Sequence, residues 1–500
     1  MFHILIIWDL VREYKKQMIY KSAYELVDLL KKKELSSVEL LGAFLNRVEK
    51  VNPDLNAVIV LDAERAMDKA KFADQVLSNG KNMGRLHGLP MSIKDAYSVE
   101  GLVSAGGNPA WKDYRPERHA EAVQHLVDEG AIIYGKTNVP FNSADIQTYN
   151  EIYGVTNNPW DLERTPGGSS GGSAASLASG MTPLELGSDI GGSIRIPAHF
   201  CGLFGHKPSY NIVSEVGHLP PPPGHTSVGN GLSVAGPLAR SPEDLEIALD
   251  ILAFPQKQDS IAWSFKLPNA RSKKIEDLKI AVWPEEDYAA VDSETSKLIS
   301  TTVEDLRSAG AKIVTAKPPF SFRDSDDVYS KLINPLMMAG SPQGTLKKLD
   351  KIAKTLKHDD MSSIAKIARG ASLLARDWVV ANAKRQFMRQ HWRVFFESYD
   401  VILCPVCVQP AMKHDHRPFK ERSLTINGVE RDYWDLTLWS GPAVMANLPS
   451  TSTPIGLTQS GLPVGLQVIG PYLEDKTCIE VSKIIRDIRG GFRIPPNYEI

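Results

Sequence analysis

The chain has 500 residues, 42% of them hydrophobic, which is ample for a large buried core and, at roughly 150 residues per domain, allows three domains or one large one. Lys and Arg number 57 against 59 for Asp and Glu, so the net charge of -2 gives no electrostatic ground for binding nucleic acid or an anionic membrane and suits a small neutral substrate. Four cysteines cannot make the usual zinc site here, because Cys404-Pro405-Val406-Cys407 has no second pair and Cys201 and Cys478 stand alone; the thiols are expected reduced, in a cytoplasmic compartment.

The start, Met1-Phe2-His3-Ile4-Leu5-Ile6-Ile7-Trp8-Asp9, is apolar but lacks a basic lead and a small-residue cleavage site, so it does not read as a signal peptide. No run approaches the roughly 18 apolar residues of a membrane-spanning helix. Residues 1–20 are set apart as an N-terminal extension and 21–500 as one domain. Ser22 can cap a helix through residue 33, and Ser36 or Ser37 a second whose Val38, Leu41, Phe44, Leu45 and Val48 share one face. Residues 57–61 then read as a strand, 63–77 as a helix and 89–93 as a strand running into Lys94. Residues 117–129 read as helical, 131–134 extended, 172–178 helical and 184–186 extended, an alternation that indicates an α/β layered architecture.

Residues 208–237, with Pro220-Pro221-Pro222-Pro223-Gly224 at the centre, read as a long ordered loop or lid. Ser241-Pro242-Glu243-Asp244 opens a capped helix. After a polar connector at 256–274, residues 280–283 restart a strand and 293–308 a helix; 323–397 is mostly helical by pattern, without a chemical motif. Residues 399–405 and 462–469 return to strand character, which makes Cys404 and Cys407 the end of a buried strand rather than a redox pair.

Chemistry is concentrated between Thr165 and Pro197: Thr165-Pro166-Gly167-Gly168-Ser169-Ser170-Gly171-Gly172-Ser173, then Ser188-Asp189-Ile190-Gly191-Gly192-Ser193-Ile194-Arg195-Ile196-Pro197. Glycine doublets let the main chain turn sharply and bring N–H groups close to a substrate oxygen, each delivering a serine. Gly167-Gly168-Ser169-Ser170-Gly171 satisfies the nucleophile-elbow pattern G-x-S-x-G, but the preceding segment is broken by Pro159 and Pro166 and is no apolar strand. No Gly-Lys-Ser/Thr follows to make a phosphate loop. Taken alone, a Gly/Ser stretch is more often a flexible connector than a site.

The wider pattern decides the reading. Asn157-Asn158-Pro159-Trp160-Asp161, the two glycine-rich segments, Cys201-Gly202-Leu203-Phe204-Gly205-His206-Lys207-Pro208, His87-Gly88-Leu89-Pro90-Met91-Ser92-Ile93-Lys94-Asp95, Gly135-Lys136-Thr137-Asn138, Gly236-Pro237-Leu238-Ala239-Arg240 and residues 461–470 together resemble the amidase signature family. The likeness covers about residues 20–250 and 398–490, leaving 256–397 as a variable helical insert. It implies an α/β/α sandwich around a large mixed twisted sheet and hydrolysis of a carboxylic amide, with ester, anilide or carbamate also open, without metal or organic cofactor. The implied triad is Ser193 as nucleophile, Ser169 as bridging serine after a cis Gly168-Ser169 peptide, and Lys94 as base. The N–H groups of Ile190, Gly191, Gly192 and Ser193 form the implied oxyanion hole, with Ser170, Asp189 and Arg195 in support. Physical chemistry requires such a partner: a serine hydroxyl needs a base, and lysine at its ordinary pKa of about 10.4 is neutral in only about one molecule in a few thousand at pH 7. Burial behind the apolar strand before Lys94 would lower that value.

His199, His206, His218 and His225 lie near the serines in sequence and offer a Ser-His-Asp alternative, which ranks behind the lysine; His206 sits in a Gly-His-Lys-Pro turn and reads as structural, while His218 and His225 flank the proline run. His414 and His416 read as solvated loop. The segment Val139-Pro140-Phe141-Asn142-Ser143-Ala144 lacks the acidic residue many relatives place after the proline, so no relative's substrate transfers. The runner-up is the glutamine-hydrolysing subunit of a tRNA-dependent amidotransferase. Against it, the 217–224 loop does not resemble the corresponding part of such subunits, and no substrate-carboxylate arginine is evident. A non-catalytic scaffold is disfavoured by the intact triad. Candidate specificity positions are the proline loop, Trp111, Tyr149 and Trp439; the partner expected is a small amide, and a homo-oligomer is left open.

Overall fold

The computed structural model describes residues 18–224, 229–357 and 359–499, so residues 1–17 of the expected N-terminal extension, and His225, lie outside the described residues. The described chain joins the core at once: Met18 and Ile19 are buried, and the Arg240 guanidinium donates to the Ile19 carbonyl at 3.0 Å. Two capped helices follow, Ala23–Lys31 and Ser37–Leu55, in which the Ser22 and Ser36 hydroxyls accept from the amides of Glu25 and Glu39 while those glutamates reach back to the serine amides.

Lys94 closes the buried strand Pro90–Lys94, which pairs parallel with Ile132–Thr137; that strand in turn pairs antiparallel with Val58–Leu61. This three-stranded sheet lies beside the edge strand Leu184–Asp189 of an eight-stranded sheet. Across the larger sheet the order is Lys312–Thr315, Lys279–Val282, Val401–Pro405, Pro463–Ile469, Ser450–Leu457, Phe204–Lys207, Val234–Ala239 and Leu184–Asp189. The first three strands are parallel and the remaining pairings antiparallel, so the sheet is mixed, as expected.

Side-chain alternation puts helices on both faces. Val401 and Leu403 join Val464, Leu466 and Val468 against the helices Ser293–Ser308 and Asp475–Arg489. Ile402 and Cys404 turn the other way, into a cluster with Phe322 and Val328 of helix Phe322–Met338 and Trp392 and Phe396 of helix Ala375–Ser398. The result is the α/β/α layering. Cys404 ends its strand as expected, and burial pushes its thiol up to about 12. Among the described residues no helix is long and apolar enough to cross a membrane.

Three segments differ from expectation. The Gly-His-Lys turn is the strand Phe204–Lys207, and the end of the supposed lid is the strand Val234–Ala239. Both hide their period because Gly205, Gly236 and Pro237 interrupt it; Pro237 is tolerated because Phe204–Lys207 pairs only with Leu238 and Ala239 on that side. In the insert at 256–397 the strand expected at 280–283 is present as Lys279–Val282, but a second strand that was not expected, Lys312–Thr315, pairs with it and completes one edge of the main sheet.

The helix Gly171–Ala178 follows Ser169 directly and sits tightly against Asn138: a Cβ on Gly172 would lie 2.6 Å from the Asn138 carbonyl oxygen and closer still to its nitrogen. Gly172→Ala is therefore expected to destabilise the protein by about 1–3 kcal/mol through overpacking. Gly344→Ala, in a helix where a Cβ meets nothing within 4 Å, should instead stabilise it by roughly 0.5–1 kcal/mol. Urea unfolding of the two variants measures the contrast.

Candidate active site

The turns bearing Ser169 and Ser193 meet where the small sheet abuts the large one. The Ser170 amide donates to the Ser193 carbonyl at 3.2 Å, and the peptide between Gly168 and Ser169 is cis. Gly168 lies against the backbone of Asp145, Ile146 and Gln147, and the Thr148 hydroxyl donates to the Gly167 carbonyl at 2.8 Å. The Asn158 amide holds the carbonyls of Thr165 and Phe200 at 3.1 and 3.0 Å, and the Trp160 indole N–H that of Cys201 at 3.0 Å. These contacts are why separated signature segments occur together: each pins the serine turn or the short helix Arg195–Cys201.

Lys94 Nζ lies 2.7 Å from Ser169 Oγ and 2.9 Å from Ser188 Oγ. Lys94 is 0% exposed, Ser169 1% and Ser193 6%, so of the three only Ser193 keeps appreciable access to solvent. Burial lowers the Lys94 ammonium from its ordinary range to about 7, although the charges of Asp189 and Glu185 oppose the change. Those two carboxyl groups are occupied elsewhere. Ser92 donates to Glu185, with the Thr137 hydroxyl 3.4 Å away, and burial raises the Glu185 carboxyl to about 7.

Asp189 organises the second turn. Burial alone would raise its carboxyl, but the Arg195 guanidinium and backbone donors outweigh that and hold it down to about 2. Arg195 donates from Nε at 3.0 Å and from its terminal nitrogen at 2.9 Å, while the amides of Gly192 and Ile194 donate at 2.8 and 3.1 Å. Arg195 also donates to Gln467 Oε1 at 2.6 Å and to the Ser440 carbonyl at 3.1 Å, so the C-terminal segment locks the same loop. Gly192 has φ 104°, in the left-handed region that favours glycine. Its place among the expected oxyanion donors needs correction, because the buried Asp189 carboxylate takes up its N–H. The N–H groups of Ile190, Gly191 and Ser193 have no acceptor among the described residues. Ser170 contributes mainly its backbone amide; its hydroxyl is 3.5 Å from the Ser188 carbonyl.

Ser188 and Tyr329 were not found from sequence, and His218 was weighed only as part of a Ser-His-Asp alternative. Ser188 touches Lys94 directly. His218 Nε2 lies 2.9 Å from Ser188 Oγ. Tyr329, from the insert, donates its hydroxyl to the Ile190 carbonyl at 2.7 Å and fixes the loop from outside. Only the placement of Ser188 next to Asp189 offered a local signal. His199 and His206 are structural: His199 is lowered to about 4 by burial and accepts from the Gly465 amide, and His206 bonds Thr451 and Asp475. Trp439 is buried core, its indole donating to the Ala289 carbonyl, and the Tyr149 hydroxyl accepts from Arg422. A surface cavity of about 430 Å³ is lined by Pro319, Gln390, His391, Val394, Phe395, Ser398 and Tyr399, none of which belongs to this cluster.

Comparison with known proteins gives a consistent picture. The family model described as "Amidase" matches residues 39–479. Among curated relatives, a glutamyl-tRNA(Gln) amidotransferase subunit from Rippkaea orientalis (strain PCC 8801 / RF-1) is 31% identical over 485 residues, covering 92% of this chain and 96% of the relative. A bacterial aryl acylamidase of the amidase signature enzymes family superposes with a TM-score of 0.78 at 26% identity, covering 94% of this chain and 96% of that one. The corresponding glutamyl-tRNA(Gln) amidotransferase subunit from Thermotoga maritima superposes with a TM-score of 0.75 at 25% identity, covering 95% and 98%.

Asp189→Asn keeps the shape but leaves Arg195 buried without its countercharge, and is expected to cost about 3–5 kcal/mol at pH 7. Because the folded-state value of about 2 lies below the ordinary 3.8, the charge-dependent part of the loss is full above pH 4 and disappears as pH falls through 2. Urea unfolding of variant and wild type at pH 7 and in acid measures that difference.

Proposed function

The chain belongs to the amidase family, whose enzymes act on carbon–nitrogen amide bonds, and on that premise we propose that it hydrolyses a carboxylic amide through an acyl-enzyme on Ser193. The observation that carries this reading is a fully buried lysine, its amine 2.7 Å from the hydroxyl of Ser169 and held by hydroxyl groups rather than by a carboxylate.

In the neutral state the Lys94 lone pair accepts the Ser169 proton as Ser169 accepts that of Ser193. Ser193 Oγ bonds to the substrate carbonyl carbon, and the carbonyl electron pair moves to oxygen. The N–H groups of Ile190, Gly191 and Ser193, which have no acceptor among the described residues, are suited to stabilise that oxyanion. Its collapse breaks the C–N bond, and the proton stored on Lys94 returns through Ser169 to the departing amine. Water, deprotonated by the same relay, then attacks the ester, releasing the acid and restoring Ser193. Esters, anilides and carbamates pass through the same tetrahedral species. Asp189, Arg195 and Tyr329 act on the loop's shape, and no metal or organic cofactor enters any step.

A second reading is favoured by a specific observation: curated relatives matched over nearly the whole chain are named amidotransferase subunits. In that role the substrate amide is glutamine and the activity depends on partner subunits.

Since the active form of the base is neutral, kcat/KM is expected to rise with pH through about 7 and level off above it. Lys94→Ala should lower amide turnover by about 10²–10⁴-fold while KM changes little. Steady-state assays on aliphatic and aryl amides, carbamates, esters and glutamine, the last with and without partner subunits, test both readings. Unchanged turnover in the Lys94 variant contradicts the mechanism, and glutamine hydrolysis that requires partners selects the second role.

A further inference from the structure

Resting on Lys94 as the base, we propose that His218 is a positioning residue that aims the Lys94 lone pair at Ser169 by dictating which way the Ser188 hydroxyl points. A neutral primary amine has two N–H donors and one lone pair. Lys94 faces two hydroxyl groups, at 2.7 and 2.9 Å, and each is able to donate to that lone pair. Only donation from Ser169 is productive. A proton offered by Ser188 would occupy the base without leading to Ser193.

The surroundings of His218 resolve the competition. Its Nδ1 lies 3.2 Å from the Pro220 carbonyl oxygen, which only accepts, so the tautomer assigned from these partners carries its hydrogen on Nδ1. Nε2 is then a bare acceptor, 2.9 Å from Ser188 Oγ. Ser188 therefore donates to His218 and presents its oxygen lone pairs to Lys94, which gives it an N–H. With that N–H committed, the amine lone pair is left for Ser169.

The histidine is held by the segment that follows the lysine's strand. His218 bridges Tyr97 in an antiparallel pair, the Leu219 amide donates to the Ala96 carbonyl at 2.7 Å, and the Ser98 amide donates to Gly217 at 2.9 Å. The Tyr97 ring stands edge-on to the imidazole with centroids 5.0 Å apart, and the Tyr97 hydroxyl donates its proton to the Gly187 carbonyl at 2.9 Å while its oxygen lies beside the Ser188 hydroxyl. The ionisable groups facing His218 are Lys94 and Tyr97, with Glu215 beyond Tyr97. Burial first, and then the Lys94 charge, lowers the imidazole to about 4, so it remains the neutral acceptor wherever Lys94 is itself neutral. This gives a function to the proline-rich segment: Pro220 supplies the carbonyl that fixes the tautomer.

A cycle of His218→Ala and Ser188→Ala tests the inference, with kcat and KM measured on one amide substrate above pH 8. His218→Ala frees the Ser188 hydroxyl to compete and should lower kcat by about tenfold, the worth of one hydrogen bond, with KM changed less than twofold. Ser188→Ala removes both the competitor and an acceptor and should cost less, roughly two- to fivefold. The double variant should match Ser188→Ala, because His218 has nothing left to orient. A histidine that merely supports its loop would cost the same factor in both backgrounds, and that result overturns the proposal. If His218→Ala does not fold, His218→Gln, whose carbonyl oxygen can accept from Ser188, and His218→Leu, which cannot, are compared in both backgrounds. The Gln variant should exceed the Leu variant only when Ser188 is present, and equal rates for the two contradict the proposal. Lys94→Ala assayed alongside separates the outcomes: retained activity there refutes the lysine mechanism itself, whatever the His218 cycle gives.

Discussion

A buried amine held by hydroxyl groups is the constraint around which the rest of this molecule is arranged. Removing Lys94 from water favours its uncharged form, but only while no carboxylate is close enough to restore the charge. Two acids lie near, and both are turned to other partners: Glu185 is engaged by Ser92 and Thr137, and Asp189 by Arg195 and a fan of backbone amides. Burial is the larger influence on the base, and the other engagements of the acids accompany an opposing effect too small to cancel it.

Asp189 links that electrostatic requirement to loop geometry. The carboxylate that must not pair with Lys94 collects the Gly192 and Ile194 amides, and in doing so shapes the turn that carries Ser193, where three neighbouring N–H groups have no acceptor among the described residues. Its counterion Arg195 extends to Gln467, which itself donates to the carbonyls of Pro405 and Trp439. From the other side Tyr329 holds the Ile190 carbonyl. Segments more than two hundred residues apart therefore converge on one short turn, and the insert takes part in the site as well as in the sheet.

The sequence made the chemistry easier to read than the geometry. Ser169 and Ser193 stand in glycine-rich surroundings whose steric reason is local, Lys94 ends an apolar strand, and Gly168, Gly172 and Gly192 are each needed where backbone approaches backbone or φ turns positive. The α/β layering followed from alternating periodicity, and strands such as Val401–Pro405 carried it plainly. What stayed hidden depends on long-range register. Ser188 reaches Lys94 only because Pro90–Lys94 lies beside Leu184–Asp189, and His218 reaches Ser188 only because its segment is bridged to Tyr97. Tyr329 sits in a helix whose pattern records packing alone. Gly192 was misassigned for a related reason: a glycine amide looks available until the acceptor beneath it is located.

The central claim is that the Lys94 amine is neutral near physiological pH, and the most direct measurement is its own titration. Protein labelled with ¹⁵N at lysine Nζ, followed by NMR across the pH range, reports the charge of each amine, and the signal lost in Lys94→Met identifies the one that matters and separates it from the similarly buried Lys207. A Lys94 midpoint at about 7 is expected. A Lys94 amine that stays charged up to about pH 10, like a lysine in water, contradicts the mechanism.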